Sequence, residues 1–258
     1  MTAAASPPTP PTATRRPPRG DLTDALATAD GKARYVRALF HEIAPRYDDI
    51  TVWLSFGRDA GWKDVLCRMA AVQPGERALD LACGTGDIAA RLRAGGARVT
   101  ALDLTPRMLA LAASRPVASG VRWLCGDMQD LPVARASQDV VTIGYGLRNV
   151  SDLPGALQEI DRVLAPGGRV LSLDFTLPQS PVVRRAYLGY LRIVGGLVGQ
   201  LLHDDPDTYR YIPESLRRYP GADGVARLMR TQGLTHAARW PLLGGLMAIN
   251  TAVKPRRR

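Results

Sequence analysis

The run Arg77-Ala-Leu-Asp-Leu-Ala-Cys-Gly-Thr-Gly-Asp87 compresses an apolar strand, an acid, a glycine turn and a helix start into eleven residues. Leu79 and Leu81 suit a buried strand. Gly84 and Gly86 allow a sharp turn that lies close to a ligand, and Ile88-Ala-Ala-Arg-Leu continues as a helix whose N-terminus faces that ligand. Such turns commonly hold a pyrophosphate on free helix N–H groups. Here Asp80 ends the strand and Asp87 follows the glycines, so two carboxylates flank the turn, where they would repel a pyrophosphate and favour a cation. Gly84-Thr-Gly-Asp-Ile-Ala89 also fits the NAD fingerprint with alanine in third place. The next strand, Arg98-Val-Thr-Ala-Leu-Asp103, ends in an acid that suits ribose hydroxyls in either kind of site.

Outward from this turn the chain alternates. Strands are predicted near 77–83, 98–104, 121–126, 138–145 and 169–176, with helices near 86–94, 106–114 and 152–164, the rhythm of a doubly wound parallel sheet. Thr105 before Pro106 and Ser151 before Asp152 mark helix starts. A helical region from about Thr28 to Met69, broken near Pro45 and Gly57, precedes the sheet, and Thr235–Leu243 turns at Gly244-Gly245 into a last strand, Leu246–Val253. The glycine turn resembles the first motif of Rossmann-like S-adenosylmethionine (SAM) methyltransferases, whose cofactor carries a sulfonium and an ammonium and no phosphate. Their parallel sheet also ends in an antiparallel strand, which ordinary NAD domains lack. The expected fold is therefore α/β, a class I SAM-dependent methyltransferase with a mostly parallel sheet, an antiparallel last strand and a helical lid. A NAD-linked oxidoreductase is the alternative of a different class.

With 258 residues and 46% hydrophobic content the chain can bury one substantial core, expected over residues 28–254. Residues 1–20, rich in Pro, Ala and Thr and without an acid, are expected to be a disordered basic tail. They lack the apolar core of a signal peptide, and no run reaches the ~18 apolar residues of a membrane span. Cys67, Cys83 and Cys125 are odd in number and fit no metal motif, as in a reducing cytoplasm with no zinc site. The net charge of +10 is concentrated at the ends: Arg15, Arg16, Arg19, Lys254 and Arg256–Arg258 leave only +3 for the rest. Mobile basic ends suit weak attraction to an anionic membrane surface. Nucleic acid is a weaker partner, because the signatures of base methyltransferases are missing.

Three further segments bear on chemistry. Leu177 to about Tyr219 is an insertion the sheet does not need, read as a lid. Within it Tyr187, Tyr190, Leu191, Val194, Leu197, Val198 and Leu201 recur at helical spacing as one apolar face, either core or the wall of an access route for an apolar substrate. The third strand ends at Asp127-Met128, suited to an adenine amino group and its ring. The fourth ends Gly144-Tyr-Gly-Leu-Arg148-Asn149, at the edge where open α/β sheets place ligands.

Gly146-Leu-Arg-Asn-Val150, followed by Arg162-Val-Leu-Ala-Pro-Gly-Gly168, resembles the signature of the C-methyltransferases of menaquinone and ubiquinone biosynthesis. Phe40, Tyr47-Asp48, Ser55, Gly57 and Trp62 upstream match that family's pattern, as do Asp207-Thr-Tyr-Arg-Tyr211, Glu214-Ser215 and Tyr219-Pro220 downstream. The resemblance implies SAM contacts at Thr85, Asp103, Asp127, Met128 and Gly144, beside Asp80, Gly84 and Gly86 of the glycine turn. It implies SAM-dependent C-methylation of a prenylated quinol, demethylmenaquinol to menaquinol, with a ubiquinone-pathway benzoquinol or another small-molecule acceptor as the alternative. Arg148 and Asn149 would stabilise the phenolate, with Tyr145 and then His203 as lesser candidates and no metal. The chain departs from the pattern at Cys83 and Gly144, where the family often has glycine and serine, and at Ile249–Lys254.

Overall fold

The computed structural model describes residues 22–203 and 209–256. The basic tail expected over residues 1–20 lies outside them, as do Asp207, Thr208 and the last two arginines. Four helices come first: α1 (Leu22–Ala25), α2 (Ala29–Ile43), α3 (Tyr47–Leu54) and α4 (Asp59–Ala70). Thr28 caps α2, its extended backbone letting Oγ1 accept from the Gly31 N–H at 3.1 Å. The sheet then alternates as β1 (Arg77–Leu81), α5 (Asp87–Ala94), β2 (Arg98–Asp103), α6 (Pro106–Ala113), β3 (Arg122–Cys125), β4 (Gln138–Gly144), α7 (Leu153–Val163) and β5 (Leu164–Phe175). The chain continues through α8 (Pro181–His203), α9 (Tyr211–Arg218) and α10 (Gly221–Thr231) to the hairpin β6 (Thr235–Leu242) and β7 (Met247–Val253).

The seven strands lie in the order β3-β2-β1-β4-β5-β7-β6. The first five are parallel, while β7 slots between β5 and β6 antiparallel to both. Both faces of the sheet are covered, so β1 and β4 read as near-continuous apolar runs rather than alternating ones. Leu66 of α4 and Ala89 and Leu92 of α5 belong to the core on one face with Ala78, Val99 and Val140. Leu157 and Ile160 of α7 and Val225 and Met229 of α10 pack on the other with Leu79, Leu81 and Ile143. Strand order reverses between β1 and β4, which places the crevice for a ligand at their C-terminal ends.

Three local expectations are corrected. The N-cap of α7 is Asp152, whose carboxylate accepts from the Gly155 N–H at 3.1 Å; Ser151 instead donates to Gln129 Oε1. β5 starts five residues early, because Leu164 already pairs with Gln138 before a bulge puts Arg169 opposite Val140. Lys254 is not a free basic end, since it forms an ion pair with Asp161 at 3.2 Å. The lid stripe also divides: Tyr187, Leu191 and Val198 are buried, whereas Leu197 and Leu201 face outward. Gly195 is explained by close approach, because a Cβ there would lie 3.1 Å from the Cβ of Tyr209. Among the described residues no helix is long and apolar enough to cross a membrane.

Candidate active site

The glycine turn is shaped by its carboxylate neighbour. Gly84 and Gly86 both take the left-handed conformation, at φ +53° and +87°. A Cβ on Gly86 would stand 2.8 Å from the Trp123 ring. Asp103, at the end of β2, accepts from the Gly84 N–H through Oδ2 and from the Thr105 N–H through Oδ1, both at 2.8 Å. Burial raises its pKa, and those two N–H groups and the Thr105 hydroxyl oppose the shift. A carboxylate has about four lone-pair positions. One is therefore left for a ribose hydroxyl.

This turn opens on a cleft of about 720 Å³, counting its mouth, at the C-terminal ends of β1, β2 and β4. Gly84, Asp103, Asp127, Met128 and Gly144 line it, together with Tyr145 and Asn149; Ala33, Val36 and Phe40 of α2 form the far wall. Among the described lining residues there is no Lys, Arg or His, and Asp103 and Asp127 are the only acids. The cleft therefore suits a cation, for a reason other than the flanking pair read from the sequence. Asp80, Thr85 and Gly86 are not in its wall. Asp80 is fully buried behind the turn, where Oδ1 accepts from Thr142 Oγ1 at 2.8 Å and Oδ2 has no partner. Burial pushes its carboxyl up to about 7 against the Thr142 hydrogen bond. Asp87 turns away to Lys63 and Arg115, each at 3.0 Å. Thr85 donates to Asp48 Oδ1 at 2.7 Å, tying the turn to α3.

A second cavity, about 460 Å³, lies beside the first. Its walls are apolar, with Leu39, Ile43, Ile50, Leu54, Phe175 and Ile212 among them, and Tyr47 and Tyr145 line both cavities. Among the described residues Arg148 is the one cation in its wall. The guanidinium is 2.6 Å from Asp174 Oδ1, donates to the Tyr145 carbonyl at 2.9 Å, and lies over the Phe175 ring with Cζ 4.9 Å from the centroid. Burial acts to lower its pKa and Asp174 outweighs it, so the group stays charged. Its buried Nε–H has no partner, a donor left for something in the chamber. Asn149 is held from both ends, donating to the Tyr145 carbonyl at 2.9 Å and accepting from the Tyr211 hydroxyl at 3.1 Å. Tyr145 itself sits at φ +60°, strained for a bulky residue, and donates to Asp59 Oδ1 at 2.6 Å. Burial, then Asp59, raises its hydroxyl pKa well above the usual value.

Asp59 opens a chain of charges that was not visible as a site in the sequence. Lys63 is 2.6 Å from Asp59 and 3.0 Å from Asp87. Arg115 joins Asp87 to Asp48, which receives Thr85. Burial alone would lower the Lys63 ammonium, but Asp59 and Asp87 outweigh it and push it up to about 12. Asp174 was also missed, although it is the penultimate residue of β5, at the same sheet edge where Asp103 ends β2, and that positional rule would have found it. The lid stripe is corrected here: among the described residues none of α8 lines either cavity. His203 closes α8, with its side chain outside the described set. Among the described residues no cluster of His, Cys, Asp or Glu is placed to hold a metal.

Strand order, the antiparallel β7 and a cation-compatible cleft at the switch point define a class I SAM-dependent methyltransferase. The ubiE/COQ5 methyltransferase family matches residues 28–254, and the chain belongs to that family. It is 38% identical over 231 residues to a ubiquinone/menaquinone biosynthesis C-methyltransferase UbiE of Dinoroseobacter shibae, covering 87% of this chain and 92% of the relative. To a demethylmenaquinone methyltransferase of Mycobacterium sp. (strain KMS) it is 36% identical, covering 90% and 99%. Among solved structures it resembles a putative S-adenosyl-L-methionine-dependent methyltransferase of Methanococcus maripaludis, with TM-score 0.59 and 16% identity over 85% of this chain and 95% of that one. Phosphoethanolamine N-methyltransferase 2 of Haemonchus contortus gives a TM-score of 0.61 and 16% identity over 86% and 58%. At such identities these two likenesses speak for the fold alone.

Proposed function

We propose that residues 28–254 form one catalytic domain that methylates a ring carbon of a prenylated quinol, demethylmenaquinol to menaquinol, at the inner face of the cell membrane. The observation that carries this is the apolar chamber containing a buried, charged Arg148 with an unpaired Nε–H, which shares Tyr145 with the wall of the cofactor cleft. The names of the relatives support the acceptor class.

The residues present fit SAM. Asp103 has an acceptor position left for a ribose hydroxyl, Asp127, which accepts from Gln129, keeps one on Oδ2 for the adenine amino group with Met128 beside it, and among the described lining residues no basic side chain opposes the sulfonium. When bound, SAM supplies an electrophilic methyl group. Ring carbon is a weak nucleophile until the neighbouring phenol loses its proton, so the protein must orient the ring and hold a phenolate. Arg148 stays protonated and donates to that oxygen; Asp174 and Phe175 fix its plane. Tyr145 can accept the phenolic proton while passing its own to Asp59 along their 2.6 Å hydrogen bond. Asn149, held by Tyr211 and the Tyr145 carbonyl, keeps the strand end in place.

The test is incubation with methyl-labelled SAM and reduced naphthoquinol or benzoquinol acceptors, asking which ring gains label. The expected product is the methylated naphthoquinol. Label on the benzoquinol alone assigns the alternative acceptor, and label on neither removes the proposal. SAM, and not NAD, is expected to raise the melting temperature.

A further inference from the structure

The outer side of α3 and α8 carries apolar side chains that nothing in the described chain covers. Trp53 is 63% exposed, Ile193 65%, Leu197 59% and Leu201 81%, and Val52 and Phe56 are exposed beside them. Ile193, Leu197 and Leu201 are spaced by four, one above the other on the outer face of α8. Tyr190 joins this row to α3, stacking on Phe56 at 4.7 Å between centroids and donating to the Trp53 carbonyl at 3.3 Å. Phe56 is held outward in a left-handed backbone conformation, φ +55°, which a bulky residue adopts only under strain.

We propose that this face is a membrane-docking surface whose occupant is the headgroup and acyl boundary of an anionic bilayer. Charge favours that occupant. The 23 residues of α8 contain no acid, and by helical spacing the exposed Arg185 and Arg192 flank the row on the side away from Tyr190. Arg58 is exposed in the turn after α3, and Asp49 is the exposed acid of that helix. An amphipathic helix with apolar residues outermost, arginines at its flank and Trp and Tyr at its edge lies in the plane of a lipid interface. The placement also suits the acceptor. Ile50, Thr51 and Leu54, on the inner side of α3, line the chamber that holds Arg148, so one helix diameter, about 10 Å, separates the lipid face from the proposed ring site. This rests on the reading that the acceptor has a membrane-embedded prenyl tail, and it replaces a route along the inner stripe of α8, whose described residues line neither of the two cavities.

The test is binding of the full chain, without acceptor, to phosphatidylcholine vesicles with or without phosphatidylglycerol. Wild type is expected to sediment with the anionic vesicles, and brominated lipids should quench its fluorescence, with that quenching lost in Trp53→Phe. The exposed pair Ile193→Asp with Leu197→Asp should bind about tenfold more weakly, as expected for charges placed at the apolar side of an interfacial helix. Its melting temperature and its turnover of a short-tailed, water-soluble quinol should be unchanged, while turnover of long-tailed quinol in vesicles falls. Deleting residues 1–20 and 255–258 should leave the quenching of Trp53 in place. Vesicle binding by the double variant equal to wild type, or a wild type that ignores vesicles, overturns the proposal; so does a wild-type dimer that the double variant dissolves, since the occupant is then a second copy. Because binding is read without acceptor, failure to methylate any quinol leaves this result standing and bears only on the proposed function.

Discussion

Asp80, next to last in β1, and Asp103, last in the adjacent parallel β2, looked alike in the sequence, yet the fold gives them opposite work. Asp103 holds the glycine turn by two N–H groups and faces the cleft, whereas Asp80 lies beneath the turn with one oxygen unpaired. Replacing Asp103 by alanine is expected to weaken SAM binding by about 2–3 kcal/mol, the scale of charge-assisted hydrogen bonds, in a protein that calorimetry shows still folds; unchanged affinity would move the ribose elsewhere. Asp80 is expected to show itself as pH-dependent stability. Its folded pKa, about 7, is above that of a free carboxyl, so its favourable contribution is complete below pH ~4 and is lost as pH rises through 7. The melting temperature of Asp80→Asn relative to wild type should accordingly climb between pH 5 and 8, and a constant difference would mean that Asp80 is ionised throughout. Arg148→Lys keeps a charge but loses the fork that spans Asp174, the Tyr145 carbonyl and the free Nε–H. SAM affinity should stay near normal while single-turnover methylation falls about a hundredfold, within the range for a lost electrostatic donor; equal losses in both would place Arg148 in the scaffold. Strand-end residues such as Asp103, Asp127 and Gly144 were legible because parallel sheets put ligands at that edge. Asp59 and Lys63 were not, because their partners, Tyr145 and Asp87, are 86 and 24 residues away in the chain.

The alternating strands and helices could be read from the sequence because each buries a face whose period is set locally by the backbone. The ends of β5 and α7 were less clear: a bulge opposite Gln138 extends one and a hydrogen bond from Gly155 selects the cap of the other. In α8 the sequence showed that the helix was apolar but not which side was inward. Tyr187, Leu191 and Val198 turn to the core, while Ile193, Leu197 and Leu201 turn out, and only the position of α3 and α9 decides between them. Leu191, 1% exposed, is thus a packing residue. Leu191→Ala should lower unfolding free energy by about 2–4 kcal/mol in chemical denaturation; a change below about 0.5 kcal/mol, ordinary for surface sites, would show the helix undocked in solution.

At the scale of the whole molecule two cavities share a wall at Tyr145 and Tyr47, one facing acids and one facing Arg148. The helices before the sheet supply part of both, through Phe40 and Tyr47, so the segment that precedes the glycine turn completes the site that the turn begins. Lys32, at the start of that segment, donates to the carbonyls of Arg148 at 3.0 Å and Val150 at 2.5 Å. It thereby pins α2, the far wall of the cofactor cleft, to the loop that carries Arg148. In kinetic terms such a tie would act as a latch on residence time: cofactor leaving past α2 would have to wait for two hydrogen bonds to carbonyl oxygen to part. Lys32→Met should therefore speed release of S-adenosylhomocysteine in stopped-flow displacement by about tenfold, the equivalent of some 1.4 kcal/mol, and relieve product inhibition while the methyl-transfer step in a single turnover stays the same. A release rate equal to wild type would put the slow gate at another wall of the cleft.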